Sequence, residues 1–120
     1  MIPSISKCLV GLVAAEHCYI LWLEMFAWTT HGRKVFTSVP GDLFERTKVL
    51  AANQGLYNGF LAAGLIWSLI IQDSRWSQNV AAFFLSCVIL AGIYGGVSAH
   101  KSILYKQALP AIAALIFLFW

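Results

Sequence analysis

A chain of 120 residues that is 60% hydrophobic and only 11% charged is too apolar for a soluble domain of its size. Its net charge of +3 is small and lacks the clustered basic face that nucleic-acid binding needs, so nucleic acid is excluded as a partner. A lipid bilayer is the solvent that fits, and the expected fold class is all-α, a bundle of four transmembrane helices.

The first predicted element is the apolar run Ser4–Trp28. Lys7 and the Ala14-Ala15 pair imitate a signal peptide, but the apolar run continues past them, so the span is expected to be retained. It carries Glu16, His17 and Glu24, although a charge near a bilayer centre costs roughly 2.5–3.5 kcal/mol. His17 and Glu24 share a helical stripe two turns apart, with Glu16 about 80° round from Glu24. His31-Gly32-Arg33-Lys34 suits the C-terminus of this helix, and Pro40-Gly41 turns the chain.

Asp42 and Glu45 have the spacing of a capping box, so the second helix is expected from about Leu43 to Ile71, entering lipid near Lys48. It carries Asn53, Gln54, Tyr57 and Asn58 over an arc of about 140°. Gln72-Asp73-Ser74-Arg75 reads as a tight turn. The third helix is expected over Ser77–Ala99, with Tyr94, and the fourth over Ser102–Trp120, with Gln107. Pro110 should kink the fourth helix and free a carbonyl near Lys106 or Gln107. Nothing marks a linker or a second domain, so residues 1–120 read as a single integral membrane domain.

Charge asymmetry gives an orientation. Arg33, Lys34, Arg46, Lys48, Lys101 and Lys106 flank the first and third connections, against Lys7 and Arg75 on the other side. The positive-inside rule then puts loops 1-2 and 3-4 in the cytoplasm and both termini outside. Trp28 and Tyr105 fall at the inner interface, and Trp67, Trp76 and Trp120 at the outer one. In this frame polar groups of all four helices share the cytoplasmic half of the bilayer, which implies a buried polar pocket there. Glu16, His17 and Glu24 are its candidate catalytic residues; Asn53, Gln54, Tyr57, Asn58, Tyr94, Gln107 and Trp28 are its candidate ligand contacts.

Plainer roles compete for the same residues. Asn53, Gln54, Asn58 and Gln107 suit interhelical hydrogen bonding, and Glu24 suits an interfacial salt bridge near Arg33-Lys34. Gly55 with Gly59, and Gly92 with Gly96, are small-residue pairs for close packing within the bundle or across a homodimer. Cys8, Cys18 and Cys87 have neither disulfide nor zinc spacing. A metal at Glu16, His17 and Glu24 is disfavoured because adjacent residues diverge by about 100°. No phosphate loop, dinucleotide fingerprint or nucleophile elbow occurs, so no cofactor is implied.

The runs LVGLVAAEHCYILWLEMFAWTTHGRKVF, TKVLAANQGLYNGFLAAGLIW, AGIYGG and QALPA resemble the small membrane proteins grouped as domain of unknown function 1304. That resemblance covers nearly the whole chain. It implies four transmembrane helices and a bacterial-type cytoplasmic (inner) membrane, and brings no activity with it. Length and Glu16 are also similar to small multidrug-resistance transporters, and the residue types to membrane sterol isomerases, on much thinner grounds.

Three functions follow as expectations. One is acid–base chemistry on, or binding of, a lipophilic small molecule, isomerase- or epimerase-like, with Glu16 or Glu24 moving a proton and His17 relaying it. The amides would hold a polarised oxygen and Tyr57 would donate a hydrogen bond. Another is proton-linked transport by a homodimer. The last is a non-catalytic membrane partner or stabilising subunit.

Overall fold

The computed structural model describes residues 2–120, and among these the chain is all-α. Five helices follow in order: α1 (Ser4–Phe26), α2 (His31–Val35), α3 (Leu43–Ile70), α4 (Ser74–Ser98) and α5 (Lys101–Leu118). Within α5, Leu104–Ala108 is wound as a π-helical turn.

Three helices, α1, α4 and α5, are long and apolar enough to cross a membrane. The 28-residue α3 is not among them, because Asn53, Gln54 and Asn58 dilute its apolar residues. The exposed surface agrees with a lipid solvent: Phe83, Leu90 and Val97 of α4, spaced by seven, form an uncovered apolar stripe.

Several boundaries differ from the sequence expectation, each for a local reason. The first helix ends at Phe26, not Trp28, and the His31–Val35 segment is a helix of its own instead of a C-terminal cap. The Gly32 N–H donates to Ala27 O at 2.7 Å, reversing the chain in a tight loop. The third long helix starts at Ser74 and not Ser77, since the Asp73 side chain accepts from the Trp76 N–H at 2.9 Å and caps it. In place of a capping box, Asp42 pairs with Arg46 (3.9 Å) and Glu45 with Lys48 (3.3 Å). Both are exposed pairs that contribute at most about 0.5 kcal/mol each.

The π turn has a clear origin. Pro110 has no N–H to give the Lys106 carbonyl, and the chain just before it shifts register, with the Leu109 N–H donating to Leu104 O. The kink expected from Pro110 is therefore expressed as a widened turn one residue earlier.

The contacts divide the chain into two compact units, residues 1–15 with 61–120, and residues 16–60. The first unit holds the apolar core. Val10, Val13 and Ala14 of α1 meet Leu65 of α3, Ala81, Leu85 and Val88 of α4, and Ala111, Ala114 and Leu118 of α5. Small residues bring α4 and α5 close: a Cβ on Gly92 would lie 2.7 Å from Ala108 N, and one on Gly96 2.8 Å from Leu104 Cβ. Helix ends are tied by side chains. Ser6 Oγ donates to Phe117 O (2.7 Å), Gln78 Nε2 to Leu118 O (2.8 Å) and Ser77 Oγ to Ser68 O (2.6 Å).

The second unit packs the C-terminal part of α1 against the N-terminal part of α3, with α2 and its loop between them in sequence. Leu23, Ala27, Phe44, Ala51 and Gly55 are buried here. Arg33 clamps the loop, donating from Nε to Thr29 O (2.6 Å) and from Nη1 to Gly41 O (2.8 Å) while lying over the Phe44 ring.

Candidate functional site

Glu24 sits on the buried stripe of α1 and is only 3% exposed. Its two carboxylate oxygens are each held by an amide from α3. Gln54 Nε2 donates to Oε2 at 2.8 Å, and Asn58 Nδ2 donates to Oε1 at 2.7 Å. Gln54 and Asn58 are four residues apart, so one helical face presents both amides. Among the described residues no cation pairs with Glu24. A buried carboxyl balanced only by neutral donors is the unusual chemical feature of this unit.

Gly55 makes the approach geometrically feasible. A Cβ there would meet Met25 Cγ at 2.8 Å, Glu24 Cβ at 3.0 Å and Leu21 O at 3.2 Å; a Cβ on Gly59 would collide with Leu21 Cδ1. The sequence pattern assigns these glycines to close packing, within the bundle or across a homodimer. Gly55 also brings α3 close enough for its amides to reach the acid.

The other candidate residues are placed differently. His17 is fully buried on the same stripe of α1, seven residues from Glu24. Seven residues of helix rise about 10 Å, so no direct hydrogen bond joins the two, and the relay expected between them would need an intermediary. Glu16 is half-buried and has no hydrogen-bond or ion-pair partner among the described residues. Asn53 is exposed and donates to Val49 O of its own helix at 2.8 Å, away from the acid. Tyr57 is exposed and lies edge-on to Phe60. Tyr94 and Gln107 belong to the first unit, Tyr94 exposed on α4 and Gln107 half-buried in the π turn.

Trp28 has a structural post. Its ring lies between Phe36 and Phe44, with centroids at 5.2 and 5.1 Å, and Nε1 donates to Thr47 Oγ1 at 3.1 Å. Thr47 in turn donates to Leu43 O at 2.7 Å, which ties the start of α3 to the end of α1. The sequence reading missed Thr47, which no motif marks. Trp28→Phe should therefore cost about 1 kcal/mol in thermal unfolding and leave any response to ligand unchanged.

Two cavities of the first unit are lined by none of these residues. At Glu24 itself both carboxyl oxygens are taken by the Gln54 and Asn58 amides. Among the described residues no three His, Cys, Asp or Glu side chains converge as a metal site would require.

Comparison with known proteins agrees with the sequence resemblance. No solved structure matches the chain. It is 34% identical over 107 residues to the uncharacterized protein YpaA of Lactococcus lactis subsp. lactis (strain IL1403), with 88% of each chain covered. The family model described as "Protein of unknown function (DUF1304)" matches residues 11–119, and the chain belongs to that family.

Proposed function

We propose that the chain is a four-span protein of the cytoplasmic membrane, with both termini outside, whose Glu24 exchanges a proton in acid–base chemistry on, or binding of, a lipophilic small molecule. In this reading α3 is the remaining span. At 28 residues it is about 42 Å long, more than the roughly 30 Å of hydrocarbon to be crossed. Its polar residues lower its hydropathy, but Gln54 and Asn58 are satisfied by Glu24 and so cost less in lipid.

The observation that carries the proposal is a buried carboxyl held at both oxygens by amides and, among the described residues, by no cation. An acid in that setting can carry its charge only while the amides donate, and it is poised to trade that charge for a proton. Gln54 is exposed while its amide reaches the buried acid. A lipophilic ligand arriving from the bilayer would meet Gln54 first, then the carboxyl when the side chain swings aside.

One observation favours a second reading, a non-catalytic membrane partner. Both Glu24 oxygens are already paired, which also describes a packing tie. A thermal-stability screen of wild type and Glu24→Gln against lipids, lipophilic metabolites and hydrophobic cations separates the two. The proposal expects at least one compound to raise the melting temperature of wild type and not of the variant. Every compound acting equally on both proteins, with the variant as stable as wild type, would favour the packing tie.

A further inference from the structure

Two neighbouring cavities of the first unit share Ile2 and Ser74. The larger, about 290 Å³, is lined in part by Ser74, Arg75 and Gln78; the smaller, about 140 Å³, by Lys7, Gln72 and Ser77. The lining is rich in donors. Arg75 and Lys7 have no carboxylate partner among the described residues, and Gln72 and Ser74 add an amide and a hydroxyl. The amide N–H of Gln78 and the hydroxyl of Ser77 are already committed, to Leu118 O and Ser68 O. Asp73, the acid of this turn, is committed to the Trp76 N–H and lines neither cavity.

Position adds to the argument. The cavities open where α3 ends and α4 begins, at the termini of long apolar helices, where headgroups meet a membrane protein. Trp67 and Trp76, both exposed, flank that turn in sequence as interfacial anchors do. Guanidinium and ammonium groups, with amide and hydroxyl donors beside them, recognise phosphate oxygens.

We infer that these adjoining cavities, the larger lined by Arg75, the smaller by Lys7 and Gln72 and both by Ser74, bind a phosphate group, supplied by an anionic phospholipid headgroup or by a free phosphate. They form a site of their own and do not depend on the role of Glu24. The test uses the full chain in a neutral maltoside detergent and reads the apparent affinity from ligand-dependent thermal stabilisation. The probes are dioleoylphosphatidylglycerol, dioleoylphosphatidylcholine and inorganic phosphate.

Phosphatidylglycerol should stabilise more strongly than phosphatidylcholine. Lys7→Gln and Arg75→Gln should each weaken that response about fivefold, the effect of one cation near an anionic headgroup. Arg75→Lys should retain most of it, and Lys101→Gln with Lys106→Gln should leave it unchanged. Stabilisation by inorganic phosphate with the same dependence on Lys7 and Arg75 would identify a free phosphate as the ligand; stabilisation by the lipid alone would identify the headgroup. Equal responses to both lipids with none to phosphate, or a response that survives loss of both cations, would overturn the inference. So would an equal loss in the Lys101/Lys106 variant, which would indicate diffuse attraction without a site.

Discussion

Gly92→Ala should destabilise the protein by about 2–3 kcal/mol, read as a lowered midpoint of unfolding in detergent. The added methyl would stand 2.7 Å from Ala108 N, 2.8 Å from Ala108 Cβ and 3.0 Å from Ala108 Cα. Two of those atoms are backbone, so no side chain can rotate away and α4 must separate from α5. Helix association in lipid depends on close packing, because burying apolar surface brings no gain over lipid tails. Gly11 provides the control. A Cβ there meets nothing within 4 Å, and Gly11→Ala should stabilise the chain by about 0.5–1 kcal/mol through helix propensity. Equal effects at both glycines would mean that the contact between α4 and the π turn of α5 does not hold the fold together.

The second large effect is expected at Asn58. Asn58→Ala removes the donor to Glu24 Oε1 and should cost about 1.5–3 kcal/mol, the range for hydrogen bonds to charged groups. A neutral interhelical hydrogen bond in lipid averages only about 0.6 kcal/mol, so the size of the loss reports the charge on Glu24. A double-mutant cycle with Glu24→Ala isolates the pair. A coupling well above 0.6 kcal/mol is expected; a coupling at or below that value would describe a neutral carboxyl and a simple packing tie. Asn53→Ala should be nearly silent, since that amide turns back onto its own helix.

The contrast between Asn53 and Asn58 shows how much of the site could be read from the sequence. Glu24, Gln54 and Asn58 were all legible as polar groups in largely apolar runs, because such polarity stands out without a structure. The face of α3 that carries them was less legible. An arc of about 140° admitted Asn53 and Tyr57 as readily as Gln54 and Asn58. The small residues resolve it: Ala51, Gly55 and Gly59 mark the side that packs on α1, and Asn53 and Tyr57 lie about 160° from Gly55. Used first to fix the face, those glycines would have put both residues on the opposite side of α3 from α1.

The fold was legible where hydropathy alone decides it. Three apolar runs became the helices α1, α4 and α5 with ends shifted by a few residues. The shifts arise from local hydrogen bonds that composition cannot reveal, such as the Asp73 cap and the Gly32 N–H to Ala27 O. The π turn was half-legible. Pro110 announces a break, but whether the chain kinks or widens depends on what α5 packs against, and Gly92 and Gly96 of α4 allow Ala108 and Leu104 to come close. The surroundings of Trp28 were hidden for a similar reason. An aromatic at a helix end suggests an interface or a ligand, and only the fold brings Phe36, Phe44 and Thr47 around it.

The most direct test of the proposal is an infrared titration of the protonated-carboxyl band in membranes, wild type beside Glu24→Gln and Asn58→Ala. If Glu24 exchanges a proton, one band should appear in wild type as the pH falls, vanish in Glu24→Gln, and move its midpoint in Asn58→Ala. A titration unchanged by Glu24→Gln would mean that this carboxyl holds one protonation state throughout, and would contradict a proton-exchanging site on α1.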